Sequence, residues 1–369
     1  MLKYKTKSFN LLFLTLISLV FTACHFDSNS HKLYQQQLFT FGTLVDIGII
    51  SDNPEQAQQT IDLISAEFDR LHIDWHPWEN GALGQANQQF SALETFSTTD
   101  EIVALIQQSQ TLSAKSNGLF NPAIGKLIKK WQFDQIEDEN HPFQIPAKSE
   151  LQGLLNEKPQ MQDILIQSTS EGSQIRSTNP SVILDFGAFA KGIAIEKMIT
   201  IMKQNNIHSG LINAGGDLKV IGTKHDRPWR IGIKNPSYQH NSSEPRILAS
   251  IELHHDEALF TSGDYERFFS YQGKHYHHII DPRSGFPAVG TRSVTVLTKD
   301  AGLADAAATA LFIAGTEQWT QIAAKMGISS VMLISTDGEI HLSSAMAERI
   351  ELIPDNPDNK VTITPIVLD

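Results

Sequence analysis

The chain is 369 residues long, 41% apolar and 19% charged, with a formal net charge of −12 from 41 acidic and 29 basic side chains. This balance fits a globular core of one large or two closely packed domains, and it excludes wholesale disorder or a multi-span membrane protein. The negative charge argues against nucleic-acid backbone binding, yet permits an anionic ligand held locally by a metal ion or a helix N-terminus.

At the N-terminus, Lys3, Lys5 and Lys7 precede an uncharged apolar run from Leu11 to Phe21. The run is too short and wrongly flanked for a spanning helix, so residues 1–23 read as a secretory signal peptide. It ends at Phe21-Thr22-Ala23-Cys24, where small residues precede the sole cysteine. That arrangement resembles the bacterial lipoprotein processing box, which implies a diacylated Cys24 and attachment to a membrane through lipid. An unmodified lone thiol is the alternative. Export implies an oxidising compartment, but one cysteine makes no intrachain disulfide. His25 supplies no aspartate signal for inner-membrane retention, and the polar, Gln-rich residues 24–37 read as a tether.

Alternation from Leu38 to Ile50 predicts a strand, turned at Asn53-Pro54. Glu55 to Leu71 then places Ile61, Ile64, Phe68 and Leu71 at helical spacing. Residues 72–90, aromatic and rich in Gly and Asn, are expected to form an ordered loop. A helix follows over Asp100–Lys115, then a turn and short helix over Asn117–Trp131. The acidic, proline-containing stretch 134–149 reads as a surface excursion. Two short strands joined at Glu171-Gly172 fill Ile164–Ile183, and Gly192–Asn205 is helical. Gly210–Thr223 reads as a Gly-interrupted strand pair, with further strands at Trp229–Ile233 and Ala249–Leu253. An Ala-rich helix from near Leu303 separates the β-branched strands Ser293–Leu297 and Ser330–Ile334. Hairpins and long-range strands predict the α+β class, with mixed or antiparallel sheets and packed helices over 38–350. Residues 351–369 read as a C-terminal extension.

Several segments carry chemistry. Asp185-Phe186-Gly187-Ala188-Phe189-Ala190-Lys191-Gly192 joins an apolar run to a helix, and its charges, glycines and helix N–H groups suit a phosphorylated ligand. A charged turn with purely geometric glycines is the alternative, and the pattern is not a dinucleotide GxGxxG. Asn213-Ala214-Gly215-Gly216-Asp217 and Thr261-Ser262-Gly263-Asp264-Tyr265 are further Gly-containing polar turns. Asp305 and Thr309 lie one helical turn apart on one face and offer hard oxygen ligands suited to Mg²⁺; a buried hydrogen-bonded pair is the bland reading. The histidines at 254–255 and 275–278 lack the cysteines and helical spacing of a zinc site. His278, on the opposite strand face from His275 and His277, is the best placed general acid or base. Trp75, Trp78, Trp131 and the stretch Asn117–Pro122 offer stacking surfaces and amides, or ordinary core.

Together these stretches resemble the ApbE family, the bacterial FAD:protein FMN transferases. The resemblance runs from Phe41-Gly42-Thr43 to about Met332, carried in order by Leu119–Pro122, Asp185–Gly192, Asn213–Asp217, Thr261–Tyr265, His278–Gly285 and Ala304–Phe312. It implies a two-lobed domain, with Mg²⁺ held by the Ala188 carbonyl, Asp305 and Thr309. It implies FAD, the flavin donor, against Phe41, Trp78, Leu119, Phe120, Asn121, Asp185, Lys191, Gly216 and Thr261. His278 matches a histidine proposed to activate the acceptor hydroxyl. Phe41 stands where the family commonly has methionine, and 76–87 lacks the usual serine pattern. The implied reaction moves FMN to a threonine of an acceptor flavoprotein and releases AMP. Implied acceptors belong to exported or membrane respiratory electron-transfer complexes, on the periplasmic side of the cell envelope. An Mg²⁺-dependent FAD pyrophosphatase and a non-enzymatic flavin-binding lipoprotein are the rival readings.

Overall fold

A computed structural model of the chain describes residues 31–135, 144–170, 172–238, 245–353 and 360–368. The expected signal peptide and Cys24 lie outside them. Strand β1 (Lys32–Thr40) folds back on β2 (Thr43–Ser51), with Thr40 opposite Thr43. Between them Phe41 and Gly42 have φ of 51° and 68°, as a two-residue type I′ turn requires. Phenylalanine is an unusual occupant there, so no Asn-Gly signal marked the hairpin. Residues 32–37, expected as tether, are therefore sheet.

Helix α1 (Pro54–Asp74) starts beneath Asn53, whose side chain accepts the N–H groups of Glu55 and Gln56. The stretch 72–90 is not a loop, because Ala82–Phe90 forms α2 and buries Leu83, Ala86, Asn87 and Phe90 at helical spacing. A buried asparagine within that stripe hid its period. After β3 (Phe96–Ser97) come α3 (Asp100–Lys115), α4 (Gly125–Trp131) and α5 (Lys148–Glu157). Of the acidic excursion, 136–143 lie outside the described residues.

Strands β4 (Ile164–Thr169) and β5 (Gly172–Ser177) pair, and α6 (Ala190–Gln204) leads to the hairpin β6 (Ser209–Ala214) and β7 (Asp217–Ile221). Next are β8 (Trp229–Lys234), β9 (Ile247–Leu253), β10 (Ala258–Gly263), β11 (Phe268–Tyr271) and β12 (Lys274–His277). Thr261–Gly263 thus ends a strand rather than forming a turn. The chain continues through β13 (Thr291–Thr298), α7 (Ala301–Met326), β14 (Ser330–Ser335) and β15 (Ile340–Ser343). It ends with α8 (Ser344–Ala347), β16 (Ile350–Leu352) and β17 (Val361–Thr364). Within α7, Gly315 breaks the helix at φ 66° and ψ −174°.

Among the described residues a nine-stranded sheet runs in the order β1-β2-β6-β7-β10-β13-β14-β15-β17. Its pairs are antiparallel except β15 with β17. The expected C-terminal extension is therefore part of the fold: β17 closes one sheet edge and β16 pairs with β9. One face of the sheet presents Ile47, Ile212, Phe260, Val296 and Val331 to α1, α6 and α7. The other presents Leu218, Val220, Leu259 and Met332 to β8 and β9, a second core around Trp229 and Ile251. Each such buried side chain contributes about 1.5–3 kcal/mol relative to an exposed one. The first half of α7 buries seven alanines and Gly302, which lets its backbone come close to the sheet and to α6. This α+β arrangement is the expected class.

Candidate functional site

The site forms where three segments meet the N-terminal end of α6. The Phe189 and Ala190 N–H groups both donate to the Phe186 carbonyl, at 2.8 and 2.7 Å, turning the chain into the helix. No side chain of α6's own N-cap residue, Phe189, closes that end. Asp305 reaches over from α7 and accepts the Gly192 N–H at 2.9 Å. A Cβ on Gly192 would stand 2.3 Å from the Ala301 carbonyl oxygen, so only glycine lets α6 and α7 approach this closely.

Lys191 makes an ion pair with Asp217, at the start of β7. The other Asp217 oxygen accepts the Thr261 N–H at 2.9 Å. One buried carboxylate thereby fixes the lysine to β10. The Thr261 hydroxyl lies 2.9 Å from that of Thr295, and Ser262 lies 3.2 Å from the Thr309 hydroxyl. Asp305 and Thr309, one turn apart as expected, are thus tied to α6 and β10. Burial opposes charge on Lys191, but Asp217 and Asp305 outweigh it and hold the ammonium above the usual lysine range. Burial raises the Asp305 carboxyl well above the usual carboxylate range, with Asp217 adding to it and Lys191 opposing it.

The Asp185 carboxylate accepts the Gly187 N–H at 2.8 Å. Burial raises its pKa, while that N–H and the charges of Arg267 and His76 pull it down. Asn87 was not among the expected site residues, yet it pins this region. Its amide accepts the Leu184 N–H and donates to the carbonyls of Leu184 and Pro77. The aromatic loop that precedes α2 is thereby fastened beside Asp185. Phe41 packs edge-on against Phe68, His72 and Trp75, and His72 packs against His76. Trp78 is half-buried, with the Lys129 ammonium 4.5 Å from its ring centre.

Not every candidate converges. Leu119 and Phe120 are buried in the core, and Phe120 packs edge-on against Phe189. The Asn121 side chain is used locally, donating to the Pro159 carbonyl and accepting the Ala123 N–H. Trp75 and Trp131 are also buried, bonded to Glu101 and to the Gly285 carbonyl. Gly216, with φ 107°, donates its N–H to Asn213 beside Asp217.

The histidines divide by role. His277 is buried, its Nε2 on the Ala288 carbonyl and its Nδ1 accepting the Ile279 N–H, which specifies the neutral tautomer. His278 directs Nδ1–H to the Arg267 carbonyl at 3.3 Å, leaving Nε2 as the lone-pair nitrogen. Burial, aided by the charges of Arg267 and Lys191, pushes its pKa down to about 3. On the same loop Asp281 clamps Arg283, whose guanidinium also donates to the Ile313 carbonyl at 3.3 Å. That contact ties the histidine loop to the half of α7 that carries Asp305 and Thr309. Sequence spacing gives Asp217 only as the end of a Gly-containing turn and does not mark Arg267, because their partners are remote along the chain. A lysine and an aspartate 26 positions apart leave no spacing signal.

The ApbE family matches residues 41–332, a span that contains every residue just described. An FAD:protein FMN transferase of Rhodobacter capsulatus is 35% identical over 334 residues, covering 90% of this chain and 61% of that protein. The chain thus spans less than two thirds of that relative. One from Vibrio cholerae is 29% identical and covers 81% of this chain and 86% of its own length. Among solved structures, the ApbE protein of Thermotoga maritima superposes with a TM-score of 0.77 at 27% identity, covering 86% of this chain and 99% of that one. The flavin transferase ApbE of Vibrio cholerae gives 0.72 at 25% identity, over 86% and 99% of the two chains. With sequence and fold agreeing over the span that builds the site, the chain belongs to the ApbE family.

Proposed function

We propose that this protein transfers the FMN half of FAD to a threonine hydroxyl of an acceptor flavoprotein and releases AMP. The observation that carries this reading is the meeting of Lys191, Asp217 and Asp305 at the α6 N-terminus. A held ammonium at the positive end of a helix is what a pyrophosphate requires. In the reaction the acceptor oxygen bonds to the FMN-side phosphorus, and the bond from that phosphorus to the bridging oxygen breaks. AMP leaves with the bridging oxygen, and the hydroxyl proton passes to a base.

His278 suits the base by tautomer, since Nε2 carries the free lone pair. Its pKa of about 3 comes first from burial, with the charges of Arg267, His277 and Lys191 adding to it. A bound pyrophosphate supplies negative charge beside it and raises that value, strengthening the base only when substrate is present. Lys191 holds the pyrophosphate, and Asp185 and the loop pinned by Asn87 border the flavin side. We assign Thr261, Gly216, Phe41 and Trp78 to the donor's remaining contacts.

Among the described residues, no group of three or more His, Cys, Asp or Glu side chains could hold a metal ion. The set Ala188 carbonyl, Asp305 and Thr309 has a different composition: one carboxylate, one hydroxyl and one main-chain oxygen. Its hard oxygens fit Mg²⁺, and a cation would relieve a buried carboxyl now held toward its neutral form. When bound there, Mg²⁺ supplies neutralisation of pyrophosphate charge. We place the protein in the bacterial cell envelope, anchored through Cys24, with acceptors among exported or membrane electron-transfer flavoproteins. Among the described residues no helix is long and apolar enough to cross a membrane.

Intact-mass measurement tests the reading, using the protein, FAD, Mg²⁺ and a threonine-bearing acceptor domain. An FMN-sized gain on the acceptor supports transfer, and Asp305→Asn should abolish it. Free FMN without that gain would instead indicate the pyrophosphatase, and unchanged FAD would overturn both.

A further inference from the structure

Among the described residues, β1 forms one edge of the nine-stranded sheet and has no strand on its outer side. The pairing parity along it is fixed by Leu44, whose carbonyl turns away from β1 to accept the Gly215 N–H at 3.0 Å. Phe39, opposite Leu44, therefore sits in a non-hydrogen-bonded pair, as do Gln37, Gln35 and Leu33 at successive steps of two. The main-chain N–H and C=O groups of these four residues point outward from the sheet. Gln35, Gln37 and Phe39 are also exposed, Phe39 to 67%. Open edges are ordinarily blunted by charge, proline, a bulge or brevity. The opposite edge follows that rule, since β17 has four residues and Lys360 precedes it. Strand β1 has nine residues, pairs with β2 without a shift, and carries no charge or proline from Leu33 to Thr40.

The strand's own sequence indicates what covers it. Leu33-Tyr34-Gln35-Gln36-Gln37-Leu38-Phe39 reads alike from either end: two apolar residues, three glutamines, two apolar residues. Antiparallel pairing of two copies about a two-fold axis at Gln36 sets Leu33 opposite Phe39, Tyr34 opposite Leu38 and Gln35 opposite Gln37. Apolar side chains then meet apolar ones, and amides meet amides. The same register faces the outward groups of each copy toward those of the other, closing about eight main-chain hydrogen bonds. A register one residue off would set outward groups against inward ones, and one two residues off would set apolar residues against glutamines. Lys32 falls opposite Thr40, so no like charges meet within the strands. Charge opposes association elsewhere: exposed Asp62 and Asp69 on α1 flank Ser65, whose hydroxyl accepts from Gln36 Nε2 at 3.1 Å. The axis brings these carboxylates toward their counterparts, so association should tighten as salt screens them. A solvated edge and a strand from another protein are the alternatives, and neither calls for a sequence symmetric about Gln36.

We propose that the protein is a two-fold dimer in which β1 pairs antiparallel with β1 of a second copy, joining the two nine-stranded sheets into one. Sedimentation of the intact protein at high ionic strength should give twice the mass of one chain. Gln36→Lys and Gln36→Glu each set a charge against itself at the axis, and each should sediment as a single folded chain. An equimolar mixture of the two should return to double mass. Hydrogen exchange reads the same edge without substitution. The amides of Leu33, Gln35, Gln37 and Phe39 should exchange slowly where the dimer forms and about 10-fold or more faster on dilution. A single-chain mass for the unsubstituted protein, as for a monomer or an edge reserved for another protein, would overturn the proposal. So would double mass persisting in both variants, folded variants that fail to combine, or edge amides indifferent to protein concentration.

Discussion

His277 and His278 are chain neighbours held for different purposes. His278 keeps a nitrogen lone pair free, whereas both His277 nitrogens are engaged and its ring packs edge-on against Phe312. Burial lowers the His277 pKa to about 4, with the main-chain carbonyl of Ala288 opposing and the charge of His275 reinforcing. In the unfolded chain the value is about 6.5. Between these values the unfolded state binds more protons, so stability is full above pH 6.5 and is lost as pH falls toward 4. The loss amounts to order 3 kcal/mol at its limit. Thermal unfolding at pH 7 and pH 5 should show a fall in Tm that is smaller in His277→Gln, and identical falls would remove this residue as the cause. At this scale the sequence shows what lies close along the chain. Asp305 and Thr309 are legible because a helix puts i and i+4 on one face. Asn87 and Asp217 are not, because they act on residues 97 and 44 positions away.

The site depends on how near α6 and α7 can come, and that distance is set at Gly192. Replacing it with alanine improves intrinsic helix propensity by about 0.5–1 kcal/mol. The new Cβ would meet a main-chain oxygen at 2.3 Å, which no side-chain movement relieves. Overpacking of this kind costs about 1–3 kcal/mol, so the clash wins. Denaturant unfolding should find Gly192→Ala less stable, and AMP binding weaker as Asp305 is displaced from the helix end. A more stable variant would contradict the packing argument. Elements with clean periods, such as α3 and α1, were visible in the sequence at nearly their full extents. The hairpin at Phe41 and helix α2 were not, since one uses an atypical turn residue and the other buries an asparagine.

For the whole molecule, the sheet is a two-sided partition with α1, α6 and α7 on one side and a small β-layer on the other. The α+β class could be read from strand and helix order, but the role of the C-terminal residues could not. Parallel pairing of β17 with β15 is a long-range contact that no local pattern announces. Deleting residues 360–369 should uncover the β15 edge, lower Tm and increase self-association by light scattering. FAD binding should persist, since β13, β14 and β15 lie between β10 and the lost strand. Loss of binding in a folded truncation would tie the tail to the site.

The break at Gly315 gives the long helix a further property. A continuous helix transmits a twist along its length, whereas one extended residue uncouples its halves. The first half is braced by Gly192, Ser262 and Arg283, and the second packs through Trp319, Ile322 and Met326. Both halves pack in the same buried core, so the joint lets each follow its own neighbours there without the two having to share one axis.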